Sequence, residues 1–458
     1  MSLAEFLTRH EGKDLEFKRD LSSPDSVLRV IIAFANTSGG TLLLGVEDGT
    51  RHVRGVKDVL LEEQRLANLI SDNIVPQLLP DIEVVAWRRT NVLAVRVYPS
   101  PVRPHFLKKL GIADGVFVRV GSTNRKADPA LIDEMRRFAR QESFDEQPLQ
   151  ELNSEAIDFR VASELFAPHR NLQRRDLLAL HLVTKHQGKQ VPTVGGLLLF
   201  GRDDDRRELF PDAWIQAGRF AGRDRRHILD SVEIRLVPPR AIEEAIAFVR
   251  KYLSREAVIG PVRRTEKWTL PIAALREAVI NAVVHTDYSQ PGAPIRLALF
   301  DDRLEIENPG LLPFGLTVDD LWQGISRLRN RVIGRVFQEL GLVEQWGSGI
   351  QRMAAACREA GLAAPVLEEL GMRFRVTLSL LPHRQAQMDE RDRRVFELLT
   401  DGKGHSTQEI ADRLGISARA TRSRLRSLVN RGLIVEVGSS PQDPRRLYFA
   451  AIERHAGM

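Results

Sequence analysis

In "LREAVINAVVHTDYS", residues 275–289, Glu277, Asn281 and His285 recur every fourth residue through a segment otherwise rich in Ala, Val and Ile. At 3.6 residues per turn the three form one stripe, so a carboxylate, an amide and an imidazole line up along a mostly buried helix. Such a stripe either serves a site or makes buried hydrogen bonds to backbone groups. His285, one turn beyond Asn281, has no role derivable from the pattern and fits a packed helix-end histidine. Further along, "QWGSGIQRM" places Gly347 and Gly349 at a predicted helix start, where free N–H groups and the helix dipole favour phosphate. Near the C-terminus, "ARATRSRLRSLVNRG" puts Thr421, Leu425 and Leu428 on one helical face and Arg419, Arg422, Ser423 and Arg426 on the other, which suits a phosphate backbone or an acidic protein surface.

The elements that must position these residues can be read from punctuation. The chain has 458 residues, enough for roughly three domains, and 43% hydrophobic residues can fill their cores. An α/β multidomain protein is expected, with 1–142 ended by the polar "ESFDEQPLQELNSE", a middle α/β region at 143–265, a third unit at 266–382 and a last at 388–452. In the middle region "VGGLLLFG" reads as a short buried strand and "RAIEEAIAFVRKYL" as a helix. In the third, "IRLALF" and "RLEIEN" read as a strand pair. In the last, Ser406 and Glu409 form a capping box, Gly415 makes a turn, Ser417 caps the basic helix, and "LIVEV" and "RLYFA" around "GSSPQDPR" make a hairpin. Two helices, a basic third and a hairpin constitute a winged helix-turn-helix, whose third helix enters a major groove of double-stranded DNA.

Composition excludes several classes. The lone Cys357 rules out intramolecular disulfides and cysteine-based zinc clusters, and reads as a small buried hydrophobe. No leader and no membrane-length apolar run is seen, so no membrane partner and a cytoplasmic location are expected. The net charge of +6, with arginine outnumbering lysine, favours phosphate-bearing partners. Without a G-x-x-x-x-G-K-[ST] loop, a helicase motor is not supported.

Resemblances sharpen these readings. "EAVINAVVHTDY", "ENPGLLPFG", "RNRVIGRVFQELGLVEQWGSGI" and "GGLLLFG" together resemble a family of bacterial transcriptional regulators labelled RecG-helicase-related, over nearly the whole chain. The third unit is similar to the nucleotide-binding α/β sandwich of the gyrase, chaperone and histidine-kinase (GHKL) superfamily. That similarity implies ATP with Mg²⁺ as cofactor, Asn281 as the residue holding the magnesium, and Glu277 as the activator of water if ATP is hydrolysed. It further implies that Asn308 and Gly310 lie in the first glycine turn, Gly347 and Gly349 in the second, and Arg329 and Asn330 in a lid between them. The sequence departs where the superfamily usually reads adenine with Asp: Asn308 offers an amide oxygen but no charge, and the glycine spacing is irregular, so binding without turnover is an open reading.

The N-terminal "EGKDLEFKRDL", "AFANTSGGTLLLGVEDG" and "VFVRVGSTNRKAD" resemble the AlbA-type α+β module of Schlafen proteins. In the nuclease members three acidic residues cut RNA. On that resemblance Glu11, Glu16 and Asp48 would hold Mg²⁺ or Mn²⁺ with Lys18 beside the phosphate, and RNA or tRNA would be the substrate. The other reading makes Glu16, Lys18 and Asp48 a structural ion-pair network. A DNA-binding regulator with an ATP-sensing domain is therefore expected, with a Schlafen-like metal-dependent RNase as the alternative, and paired half-sites would suit a homo-oligomer.

Overall fold

The computed structural model describes residues 3–253, 255–259, 264–343, 347–382, 388–401, 403–437 and 446–451, with 255–259 and 264–268 described as backbone only. The loop "GSSPQDPR" and most of the linker "PHRQAQMDE" lie outside them. No described helix is long and apolar enough to cross a membrane.

The N-terminal unit is built on a four-stranded sheet in the order Leu15–Lys18, Gly40–Leu44, Thr90–Val97, Asp81–Trp87, of which only the first pair is parallel. Helix Pro24–Asn36 supplies nine buried residues to its core. The turn from that helix into the sheet needs both its glycines. Gly39 has φ +79°, and a Cβ on Gly40 would stand 2.8 Å from the Phe34 ring.

The expected boundary near residue 265 is absent. One six-stranded sheet runs Ile228–Ile234, Ile215–Phe220, Ile295–Leu299, Arg303–Pro309, Arg373–Ser379, Val366–Leu370, and thus joins strands from the middle region to strands of the third unit. The join is the parallel pairing of Ile215–Phe220 with Ile295–Leu299. A single hydrophobic core extends from Ile157 to Leu378. The two regions are one folding unit, because a strand's backbone donors need partners wherever in the chain those lie.

"VGGLLLFG" also differs from expectation: Val194–Phe200 is a helix, buried at every residue. An apolar run of this length is ambiguous between strand and helix. Here the Thr193 side chain accepts from Gly196 N at 3.0 Å and starts the helix. The glycines let it press into its neighbours, since a Cβ on Gly195 would meet Val332 at 2.7 Å and one on Gly196 would collide with the Leu182 carbonyl.

Asp145 anchors this unit. It is fully buried, accepts from the backbone N–H groups of Arg331 (3.0 Å) and Ile333 (2.9 Å), and takes a hydrogen bond from Ser143 Oγ at 2.5 Å. A carboxylate from the segment after the N-terminal unit therefore satisfies the free donors that open helix Arg331–Glu339. Asp145→Ala strands one buried and one partly buried N–H group and is expected to cost about 1–3 kcal/mol, read as a lower urea midpoint. Wild-type stability in that variant would remove this role.

Candidate functional site

Helix Ile272–His285 lies between the sheet and helix Gly349–Glu359, packing on both, with helix Pro238–Tyr252 beside it. Its Ala, Val and Leu residues fill the core, and the stripe faces a cavity of about 340 Å³. Glu277, Asn281, His285, Asn308, Gly347 and Gly349 all line that cavity. Its remaining wall is largely apolar, with Leu312, Leu316, Ile350 and Phe374 among the lining side chains. A mostly apolar hollow of this size with a few convergent polar groups suits a small ligand.

Local rules place each polar group. In strand Arg303–Pro309 the side chains alternate, so Leu304, Ile306 and Asn308 share the face toward the helices while Glu305 and Glu307 point to the other face. On that outer face Glu307 meets Arg375 at 2.6 Å and Arg225 at 2.8 Å, and these guanidiniums hold its carboxyl below the usual range despite burial. Asn308 is 4% exposed, and its amide nitrogen donates to the Pro309 carbonyl at 3.1 Å. That leaves its oxygen as the hydrogen-bonding atom it can offer the cavity.

At the other end, Glu277 receives Asn281 Nδ2 at 3.2 Å and Arg352 Nη2 at 3.1 Å, one on each carboxylate oxygen. Gly349 opens its helix directly against this pair. A Cβ there would land on Glu277 Oε1 and stand 3.4 Å from Asn281 Nδ2. Gly347 is required for a different reason, its φ of +65° and the Gly324 carbonyl 2.6 Å from where a Cβ would be. Arg352, one turn into the helix, is a functional candidate that the glycine pattern did not reveal. Its signal was present in "GSGIQRM", three residues after Gly349, where it shares the helix's first turn.

Three expected members lie elsewhere. Arg329 is buried and pairs with Glu134 of the N-terminal unit, donates to the Leu311 carbonyl and lies 3.9 Å from Asp287. Asn330 is 1% exposed and donates to the carbonyls of Val284 (2.8 Å) and Thr286 (2.7 Å), closing the end of the stripe helix. Both are therefore parts of the frame behind the cavity and not a lid over it, because a lid residue must be free to meet ligand. Gly310, at φ +99°, lets the chain turn against Asp287 and Arg329, with 2.9 Å from a would-be Cβ to Asp287 Cβ.

His285 is the half-buried end of the stripe. Its Nδ1 has no partner among the described residues, and burial, with Arg329 adding repulsion, pushes its pKa down to about 4.

In the N-terminal unit, Glu11 accepts from Phe17 N at 2.8 Å, and burial raises its pKa, with Glu16 and Asp48 pushing the same way. The three carboxylates are thus neighbours. Glu16, however, is 6% exposed and is held by Arg119 Nη2 at 2.6 Å and by Lys18. Arg119 is itself fully buried and also donates to the carbonyls of Gly12 and Leu15. Among the described residues no group of three His, Cys, Asp or Glu side chains is placed to hold a metal ion. Glu16 is thus paired with two fixed cations that an entering metal must displace, whereas Asp48, expected in the same ion-pair network, meets Glu11.

In the C-terminal unit helices Glu390–Leu399, Thr407–Leu414 and Ala418–Asn430 enclose Val395, Leu399, Ile410, Leu425 and Leu428, and strands Ile434–Val437 and Leu447–Ala450 pair antiparallel beside them. The Ser406–Glu409 capping box, the left-handed Gly415 and the Ser417 cap are all present. Arg419, Arg422, Ser423 and Arg426 are exposed on one face of the third helix. Arg424 is different: it pairs with Asp392 at 2.6 Å and Asp389 at 2.9 Å, bolting the third helix to the first.

Residues 11–128 match the family described as Schlafen, AlbA_2, residues 292–378 the one described as "Putative ATP-dependent DNA helicase recG C-terminal", and residues 388–435 the one described as winged helix-turn-helix DNA-binding. The chain thus carries an AlbA_2-type unit, a RecG C-terminal-like region and a winged helix-turn-helix, in that order. Among solved structures it is similar to the DIP2311 protein from Corynebacterium diphtheriae, at 20% identity over 96% of this chain and 92% of that one, with a TM-score of 0.44. It is similar also to the N-terminal domain of a RecG-related protein from Nitrosomonas europaea, at 25% identity over 28% of this chain and 94% of that one, with a TM-score of 0.23.

The lowered pKa of His285 fixes the sign of a pH effect. The folded protein takes up this proton less readily than the unfolded chain, so the contribution is present above pH 6.5 and is lost as pH falls toward 4. Histidine resonances followed by NMR should show one imidazole that stays neutral at pH 5.5, and His285→Phe should delete it. An imidazole titrating near 6.5 at this position would refute the burial argument.

Proposed function

We propose that the protein is a DNA-binding transcriptional regulator whose C-terminal winged helix binds duplex DNA and whose cavity binds ATP with Mg²⁺. The observation that carries the DNA half is the division of labour on helix Ala418–Asn430. Thr421, Leu425 and Leu428 are consumed by the core and Arg424 by Asp389 and Asp392, while Arg419, Arg422, Ser423 and Arg426 remain exposed together. Such a face can contact phosphates and base edges once the helix lies in a major groove. A homodimer on paired half-sites is the simplest arrangement consistent with this geometry.

For the nucleotide half, the cavity supplies groups of the right chemistry. The Asn308 oxygen can accept from a base amine, Asn281 can hold the magnesium, and the helix start at Gly349 can meet the phosphates. Magnesium, when bound, would neutralise phosphate charge. Glu277 is the carboxylate positioned to take a proton from water, but both its oxygens are already engaged by Asn281 and Arg352. We therefore assign the site to sensing, with binding outweighing turnover.

Replacing Arg422 and Arg426 together by Ala should weaken DNA binding at least tenfold and flatten its salt dependence by up to about two phosphate contacts' worth of slope. A gel-shift series at several salt concentrations measures this, and an unchanged slope would sink the DNA assignment. In calorimetry, Asn281→Ala should abolish the magnesium-dependent part of ATP affinity, whereas Glu277→Gln should keep binding and remove only residual hydrolysis, by about 10²-fold or more. Wild-type protein that shows no heat with ATP or ADP at millimolar concentration overturns the nucleotide half.

A further inference from the structure

A second cavity, of about 590 Å³, opens where the N-terminal unit meets the core, and it shares Pro313, Arg327 and Leu328 with the wall of the first. Its lining holds Arg137, Arg327, Arg329 and Arg331 beside Glu134, Glu142 and Asp287, and these carboxylates are unevenly shared. Arg329 is satisfied by Glu134 and the Leu311 carbonyl, and Arg331 by the Gln141 carbonyl and Glu146. Arg137 and Arg327, which also line the cavity, form no ion pair among the described residues. Arg137 lies 5.2 Å over the Phe144 ring and donates to Ser289 Oγ, and Arg327 lies 5.1 Å from the Phe138 ring and donates to the Phe314 carbonyl.

Behind them stands Arg103, only 3% exposed. Its guanidinium is 4.6 Å from the Phe138 ring and 4.9 Å from the Phe314 ring, so Phe138 lies under two guanidiniums at once. It donates from Nε to the Ser100 carbonyl at 2.7 Å, while its Nη1 has no partner. A buried cation left with an open donor and a like-charged neighbour is costly in the empty protein. Burial, with Arg327 adding repulsion, pushes Arg103 down to about 10. The carboxylates on the same wall relieve this only in part: Glu134 offsets some of the charge but lies with Asp287 beside Arg329, and Glu142 is exposed to solvent.

We propose that this second cavity is an anion site for a small phosphate-bearing ligand, contacted by Arg137 and Arg327 and offset by the buried charge of Arg103. Two planar guanidiniums present paired N–H donors that match phosphate oxygens, and the Phe144 ring under Arg137 and the Phe138 ring under Arg327 hold them in place. Because Arg327 and Leu328 wall both cavities, an anion here would also stiffen the partition next to the nucleotide cavity. The site stands independently of the function proposed above.

The test uses the full chain and inorganic phosphate and pyrophosphate as probes, against potassium chloride at matched ionic strength and pH, with thermal unfolding as the readout. Wild type should show a saturable rise in Tm with either probe. Arg327→Ala should lower the apparent affinity at least tenfold while leaving the Tm in chloride equal or higher, since it removes a like-charge neighbour of Arg103. Arg137→Ala should also lower the affinity at least tenfold, and Asn281→Ala, whose side chain lines the first cavity and not the second, should leave it unchanged. No saturable rise for wild type, or an Arg327→Ala protein that responds as wild type does, overturns the proposal. Loss of the response in Asn281→Ala would place the anion in the first cavity and overturn it equally.

Discussion

A helix start can approach a carboxylate only if no Cβ stands between them, and the contact of Gly349 with Glu277 is the point on which the rest of the central unit turns. Glu277 sits on the helix Ile272–His285, whose apolar residues pack into the core, so its backbone is held and only its carboxylate can give way. A side chain at 349 would displace the Glu277 carboxylate and with it the pairs that carboxylate makes with Asn281 and Arg352. Both helices line the cavity, and Asn308 and His285 line it as well. Close backbone approach thus does two things at once, bringing the first turn's donors to the site and fixing the ion pair across its mouth.

Charge burial organises the joint behind that site. Asn330 spends both amide protons on the end of the stripe helix, and Arg329, the residue before it, reaches into the N-terminal unit for Glu134. Asp145 crosses in the opposite sense, from the segment after the N-terminal unit to helix Arg331–Glu339. Neighbouring residues in "SRLRNR" therefore tie together a helix end, a neighbouring unit and a helix start. Buried groups of this kind add little net stability when satisfied but cost a great deal when one partner is lost, so they specify how the units meet more than how firmly.

The C-terminal unit follows the same economy in miniature. Five arginines lie between 419 and 431, yet Arg424 and Arg431 are withdrawn from the outer face by Asp392, at 2.6 and 3.0 Å. Arg223, in the hairpin loop of the central sheet, meets Glu397 at 3.2 Å and Glu390 at 3.5 Å on the first helix of this unit. These pairs are partly exposed and individually weak, but they leave the guanidiniums of one helical face as those offered to a partner.

What the sequence determined by itself was whatever depends on neighbours along the chain. The four-residue recurrence of Glu277, Asn281 and His285 set one face of a helix, alternation set Asn308 on the inner side of its strand, and Ser406, Gly415 and Ser417 marked helix ends, because periodicity and capping are local physics. Only the tertiary structure decided matters of distant partnership. It merged residues 143–265 with 266–382 by pairing Ile215–Phe220 with Ile295–Leu299, turned "VGGLLLFG" from strand to helix because its glycines meet Leu182 and Val332, and moved Arg329 and Asn330 from an expected lid into the frame. It also showed Glu16 occupied by Arg119, a residue 103 positions away. A spacing can say which side chains share a face, but which charge or carbonyl answers them across space is set by long-range packing that no local pattern encodes.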